Sequence, residues 1–257
     1  MGSLRCARLA GGVLCLAACV PGVGRADDGP HQLAVKVHRV LAHDPEAFTQ
    51  GLLWFDGKLF ESTGRRGRSE LRQLDPATGR VERRLPISRM HFGEGLARAG
   101  DRLVMLTWHA ERAYVFGVDD FSRLGFKSYR GEGWGLCHDG TRFVMSDGSS
   151  TLTLRDTDSF AVAGTIAVAA GGQPVAGLNE LECAAGAVYA NVFGQDFLVR
   201  IDPVTGAVTA WIDASGLLDA HEAAGADVLN GIAFDPEAAR FYLTGKLWPR
   251  MFEVTFE

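Results

Sequence analysis

The tetrapeptide Phe92-Gly93-Glu94-Gly95 sets one carboxylate between two residues that have no side chain. Glycine lets the backbone bend freely and lets other groups come close. An acid placed there could trade a proton with a bound molecule. Related runs recur along the chain: Gln50-Gly51-Leu52, Glu94-Gly95-Leu96, Trp134-Gly135-Leu136, Asn179-Glu180-Leu181 and Asn230-Gly231-Ile232. Their first residues are 44, 40, 45 and 51 apart. The middle residue is glycine in four of the five, whereas the first residue changes almost every time. A constant position belongs to architecture, and a variable one is free to serve a site.

A period in the forties with short strands predicts propeller blades. Each run leads through a turn such as Asp56-Gly57, Asp139-Gly140 or Ala185-Gly186 into a second apolar segment, a hairpin signature. The outer half of each repeat carries another pair of strands around turns such as Asp75-Pro76-Ala77-Thr78-Gly79 and Asp202-Pro203-Val204-Thr205-Gly206. The pattern predicts an all-β, five-bladed β-propeller with four-stranded antiparallel blades. The fifth repeat ends one strand short. Leu33–Val37, which precedes the first repeat, is expected to supply that strand and to close the ring with strands from both termini. One short helix is expected within Leu217–Ala226.

The repeats also predict which side chains meet. Fourteen residues beyond Gln50, Glu94, Trp134 and Asn179 stand Gly64, Trp108, Gly148 and Phe193; sixteen beyond Asn230 stands Lys246. The start of one strand and the end of its hairpin partner share an edge. All ten positions are therefore expected on one rim. Singly, each reads as an ordinary loop residue. Together they combine a carboxylate, an ammonium, three amides and three aromatics, the make-up of a binding pocket. Side chains alternate along a strand. Cys137, fourth in its run, and Cys183, fifth in its own, are thus expected to face opposite ways and stay unpaired, unless one strand is bulged.

Composition bounds the alternatives. The 257 residues are 47% hydrophobic, enough for a core, and carry a formal charge of −5. Residues 1–26 hold three arginines and no acid, so a chain starting at 27 would have 23 basic and 31 acidic residues, or −8. That excludes nucleic acid as the default partner. Residues 1–26 read as an export signal, with Arg5 and Arg8 before the short apolar run Leu9–Val20 and small residues leading to Ala26. Leu16-Ala17-Ala18-Cys19 also fits a lipobox, in which Cys19 would carry a lipid anchor. Both routes predict an exported domain, periplasmic or secreted, without a membrane span. A single domain over 33–257, monomeric, is expected. No Cys/His cluster supports a metal site, and no cofactor is expected.

With the ordered motifs Phe48-Thr49-Gln50-Gly51-Leu52, Glu61-Ser62-Thr63-Gly64, Gly67-Arg68-Ser69, Phe92-Gly93-Glu94-Gly95-Leu96, Gly133-Trp134-Gly135-Leu136, Ser146-Asp147-Gly148, Leu178-Asn179-Glu180-Leu181-Glu182, Leu229-Asn230-Gly231-Ile232 and Thr244-Gly245-Lys246-Leu247-Trp248-Pro249, the chain resembles the plant-type (type I) glutaminyl-peptide cyclotransferases. The resemblance spans roughly residues 43–254. It implies a five-bladed propeller that converts the N-terminal glutamine of peptides and proteins to pyroglutamate with release of ammonia. It further implies Glu94 as the acid/base, and a substrate pocket of Phe48, Gln50, Phe92, Trp108, Trp134, Asn179, Phe193 and Lys246. Phe193 stands where the family typically has tryptophan, which keeps an apolar wall and loses an indole N–H.

In that reaction the substrate's own amine attacks its own carboxamide, so positioning and proton handling are the enzyme's task. Gln50, Asn179 or Lys246 would bond the developing oxyanion, and no metal is required. A non-catalytic propeller that binds peptide N-termini or envelope components is the alternative. A lactonase-type hydrolase is less consistent, since its metal needs several acids and this rim has one. Glu132, before Gly133-Trp134, and His109 are expected near the mouth. Glu180 and Glu182 are expected to share a face, with Glu182 bonded to backbone or arginine. His38, His43 and His91 read as surface or loop residues.

Overall fold

A computed structural model describes residues 29–257, so the expected export signal and the Cys19 lipobox lie outside the described residues. Strand β1 (His31–Ala42) opens the chain. Three four-stranded antiparallel sheets follow: β2 (Thr49–Phe55), β3 (Lys58–Thr63), β4 (Glu70–Leu74) and β5 (Val81–Pro86); β6 (Gly93–Ala99), β7 (Arg102–Thr107), β8 (Arg112–Gly117) and β9 (Arg123–Ser128); β10 (Leu136–His138), β11 (Arg142–Met145), β12 (Thr151–Asp156) and β13 (Val162–Ala167). The pair β14 (Ala169–Ala170) and β15 (Gln173–Pro174) separates these from β16 (Leu178–Ala184), β17 (Ala187–Val192), β18 (Phe197–Ile201) and β19 (Val208–Asp213). The short helix α1 (Ala220–Ala223) precedes β20 (Leu229–Asp235), β21 (Arg240–Gly245) and β22 (Arg250–Phe256).

Strand β1 lies outside β22 in antiparallel register from Val35 to Ala42, as the missing fourth strand. Its first residues, His31 to Ala34, instead pair in parallel with β19. That pairing joins two sets of four strands into one sheet of eight. The turns follow their sequence chemistry. Asp56 and Gly57 have φ of 50° and 68°, as do Ala185 and Gly186 at 49° and 77°, the primed geometry that suits a hairpin's twist. Asp202 Oδ1 accepts from the backbone N–H groups of Val204 and Thr205, and Gly206 takes φ 75°.

The first strands β2, β6, β10, β16 and β20 touch in a closed cycle, each against the next and β20 against β2. Little space separates their backbones. A methyl group on Gly51 would lie 2.5 Å from Leu96 N, and one on Gly95 2.5 Å from Leu136 N. Gly231, with φ +128°, holds a backbone conformation that side chains disfavour. The fourth run has Glu180 at the glycine position. Its buried carboxylate crosses to accept from Ile232 N at 2.8 Å and Leu52 N at 3.2 Å, tying β16 to both β20 and β2. Each of β2, β6, β16 and β20 is bulged at this point. In the third sheet, Trp134 N donates to Ser146 O and Ser146 N to Gly135 O, again two residues against one. A bulge re-aims side chains, so the first residue of each run leaves the strict alternation of its strand.

One expectation fails here and another holds only in part. Cys137 and Cys183 form a disulfide, with Cα atoms 5.4 Å apart. They do point to opposite faces of their sheets, as the alternation requires. Neighbouring sheets, however, stack face to face: the side of β10–β13 bearing Cys137 and Val144 packs on the side of β16–β19 bearing Leu181, Val188 and Cys183. Opposite parity on adjacent sheets is what brings the two sulfurs together, without a bulge confined to one strand. His43 does lie in a loop, between β1 and β2, but it is not at the surface. It is buried, with Nε2 2.9 Å from Glu61 Oε1 and Nδ1 2.7 Å from Trp248 O. Burial alone would depress the His43 pKa, but Glu61 outweighs it and holds the imidazole above its ordinary value.

The crowding around the first strands predicts a sharp contrast between glycines. Gly95→Ala should destabilise the fold by about 1–3 kcal/mol through overpacking. Gly164→Ala, where the added methyl group meets its nearest neighbour at 3.6 Å, should stay within about 0.5 kcal/mol. Urea denaturation of both variants checks this; equal effects would mean the first strands are not held at backbone contact.

Candidate active site

The strand ends deliver their side chains to one cavity of about 390 Å³, lined by Phe48, Gln50, Phe92, Glu94, Trp108, Trp134, Asn179, Phe193 and Lys246. These are the nine expected site residues, brought together from five separate hairpins. Gln50, Glu94 and Asn179 sit at the bulges of β2, β6 and β16. Trp108, Phe193 and Lys246 follow the last residues of β7, β17 and β21. Recurrent backbone bonds fix the second group. Gly64 N donates to Phe48 O, Trp108 N to Phe92 O, Phe193 N to Gly177 O and Lys246 N to Val228 O, in each case the carbonyl two residues before a run. The rim glycines leave space for rings. A methyl on Gly148 would meet the Trp134 ring at 2.7 Å, and one on Gly64 would overlap Phe92.

The polar groups form the floor. Gln50, Glu94 and Lys246 are each 4% exposed and Asn179 2%, while the aromatic walls are more open and Phe193 is 50% exposed. Gln50 Nε2 donates to Glu94 Oε1 at 2.8 Å. Asn230, the tenth rim position, does not line the cavity. It stands behind Gln50, and its Nδ2 donates to Thr49 O at 2.9 Å and Gln50 Oε1 at 3.3 Å. Asn230 therefore orients Gln50, which orients Glu94. Among the described residues, neither the Asn179 side-chain amide nor Lys246 Nζ makes a protein hydrogen bond, so both keep donors for a bound molecule. Lys246 Nζ is 5.2 Å from the ring centroids of both Phe48 and Phe193. Phe193 thus supplies a π face to the ammonium as well as a wall.

Burial pushes the Glu94 carboxyl well above the usual carboxylate range; the Lys246 charge and the Gln50 bond pull it part of the way back, and Glu132 pushes it up again. Lys246 is moved down by burial, against the opposing pull of Glu94 and Asp227. The floor accordingly holds a carboxyl and an amine that are both easier to neutralise than in water.

The walls have a device that spacing did not reveal. Glu132 Oε2 accepts from Trp108 Nε1 at 2.7 Å and from Trp134 Nε1 at 2.9 Å. One oxygen pins both indoles, and those two bonds hold the Glu132 carboxyl below its ordinary pKa. Both indole N–H groups are therefore taken, and the rings offer only carbon surface to the cavity. Sequence reasoning placed Glu132 near the mouth; its role as a clamp is set by tertiary contact. His109 stacks on Trp108 with centroids 4.0 Å apart. Glu180 is structural, as described above. The Glu182 side chain makes no hydrogen bond among the described residues, contrary to the expected backbone or arginine partner. It lines a separate hollow with Trp54 and Arg98, and burial raises its pKa well above the usual value.

Comparison with known proteins agrees with this geometry. Residues 12–256 match the family described as glutamine cyclotransferase. The glutaminyl-peptide cyclotransferase of Arabidopsis thaliana is 39% identical over an alignment of 238 residues that covers 90% of this chain and 74% of that protein. The crystal structure of Myxococcus xanthus glutaminyl cyclase matches with a TM-score of 0.81 and 40% identity, over 89% of this chain and 98% of that one.

The clamp predicts a spectroscopic signature. Glu132→Ala should release both indoles and shift tryptophan emission to longer wavelength with greater acrylamide quenching. Glu132→Gln, which keeps an acceptor oxygen, should change less. Identical spectra for wild type and both variants would show that the walls stand without the clamp.

Proposed function

The chain belongs to the glutamine cyclotransferase family, and from that premise we propose that the cavity above Glu94 is where it closes the N-terminal glutamine of a peptide or protein into pyroglutamate and releases ammonia. The observation that carries the reading is the convergence of four buried polar residues under a ring of aromatic walls, with one carboxylate among them. The aromatic walls suit the apolar stem of glutamine and exclude water from its reacting ends. A free α-amine has a pKa near 7.7–8.0, so part of it is neutral at pH 7. The neutral amine attacks the γ-carboxamide carbon, forming the ring C–N bond and placing charge on the carboxamide oxygen.

Glu94 takes the proton lost by the attacking nitrogen and returns it to the leaving nitrogen, which departs as ammonia when the C–N bond breaks. A carboxyl raised toward the working pH is suited to both transfers. Asn179 and Lys246 are the better oxyanion donors, because Gln50 already spends an N–H on Glu94. Phe193 lacks the N–H of an indole, and its π contact with Lys246 supports a role in holding the ammonium. We further propose that the sheets are five blades of one propeller domain over 33–257, a reading supported by the closed cycle of first strands. In it, the eight-stranded sheet is two blades joined where β1 bridges β19 and β22. Export, by signal cleavage or by lipid attachment at Cys19, and a monomeric state belong to the same proposal. No helix among the described residues is long and apolar enough to cross a membrane.

Glu94→Gln should lower kcat for ammonia release from a Gln-Xaa dipeptide by about 10²–10⁴, with the melting temperature nearly unchanged. A variant that unfolds instead would make Glu94 structural. Lys246→Met removes the charge that pulls the Glu94 pKa down. The acid limb of the kcat–pH profile, which reports the bound complex, should then move to higher pH. A shift to lower pH would contradict the coupling of these two groups.

A further inference from the structure

A second hollow of about 250 Å³ lies against the first, with Phe48 as their common wall. Its acids are already matched. Asp44 Oδ2 holds Arg72 Nη1 at 3.0 Å, Glu46 Oε2 holds Arg68 Nη2 at 3.0 Å, and Glu70 Oε2 holds Arg72 Nε at 2.9 Å. Arg65 is left over. Among the described residues its guanidinium has no carboxylate within 4.0 Å and no hydrogen bond, and it lies over the Phe48 ring at 4.6 Å from the centroid. Arg66, next in sequence and outside the lining of this hollow, is exposed and likewise unmatched. Arg65 also has φ +78°, a conformation that arginine adopts at a cost. The turn is held by Arg65 O, which accepts from Arg68 N at 3.0 Å and Ser69 Oγ at 2.9 Å. A strained backbone therefore presents the free Arg65 guanidinium beside the cavity, with the exposed Arg66 next to it in sequence, on a chain whose net charge is −5.

We propose that this hollow is a subsite for a carboxylate borne by the substrate shortly after its first residue, with Arg65, which lines it, as the cation that receives it and the adjacent exposed Arg66 adding positive charge from outside the lining. The proposal rests on the cyclase reading of the Glu94 cavity. A peptide seated there by its first residue must run its next residues out over the mouth, and the Phe48 side offers unpaired positive charge. The guanidinium fork matches carboxylate geometry. The carboxylate can come from an aspartate or glutamate side chain, or from the α-carboxylate of a very short peptide. At an exposed mouth such pairing is modest and screened by salt.

Ammonia release should be measured as kcat/KM at low salt for Gln-Ala-Ala-amide, Gln-Glu-Ala-amide, Gln-Ala-Glu-amide and Gln-Ala-Ala free acid. At least one carboxylate-bearing peptide is expected to exceed the neutral amide by roughly three- to tenfold. Preference for the glutamate peptides alone assigns the subsite to side chains; preference for the free acid alone assigns it to the α-carboxylate. In the double variant Arg65→Asn/Arg66→Asn the preference should fall below about 1.5-fold, with the neutral amide within about twofold of wild type; asparagine tolerates the left-handed backbone. Arg66→Ser, at an exposed position, should lose part of the preference without touching the turn. Equal rates for all four peptides in wild type, or a preference that survives in the double variant, overturns the subsite. No ammonia from any of the four, with the protein folded, overturns the cyclase reading itself.

Discussion

Around the axis of this protein the main chain of one first strand lies against the main chain of the next, and in most places no side chain fits between them. Gly51 faces Leu96 N and Gly95 faces Leu136 N at distances that leave no room for a methyl group. Backbone contact at this range needs every polar group answered. Where the fourth run breaks the glycine pattern, Glu180 answers two amides at once, Ile232 N and Leu52 N. The bulges follow from the same crowding. They let the residue after the rim position face the neighbouring strand while the rim residue itself turns into the cavity.

The site inherits its electrostatics from that arrangement. Glu94, Gln50, Asn179 and Lys246 are almost wholly removed from solvent because they grow from the most crowded strand ends. An isolated buried charge is costly, so Glu94 is moved toward its neutral form and Lys246 toward its own. Asn230, behind the floor, holds Gln50, and Gln50 holds Glu94, so the carboxyl is positioned as well as tuned. At the mouth, the ionised Glu132 holds two indoles by their N–H groups. The two carboxyls differ in burial and in hydrogen-bond donors, and their pKa shifts diverge accordingly.

Much of this was legible in one dimension. The recurrence of Gln50, Glu94, Trp134, Asn179 and Asn230 marked the strand starts, and counting forward marked Trp108, Phe193 and Lys246 at the strand ends. That worked because hairpin geometry is local: a strand, a tight turn and a returning strand bring fixed sequence separations to one edge. The same locality explains the failures. Strand alternation sets the faces of Cys137 and Cys183, but it does not determine which face of one sheet meets which face of the next. His43 is a loop residue, as its local sequence suggests, but its burial depends on Glu61 and the carbonyl of Trp248, which lie 18 and 205 positions away.

The sequence by itself determined the strand pattern, the repeat, the glycine positions and the set of residues that reach the cavity. All of these follow from turn chemistry and alternation within about forty residues. Tertiary structure decided the Cys137–Cys183 bridge, the strut made by Glu180, the clamp made by Glu132 and the burial of the floor. Each depends on the stacking of separate sheets around a common centre. That stacking is set by the packing of whole faces, which no local pattern encodes.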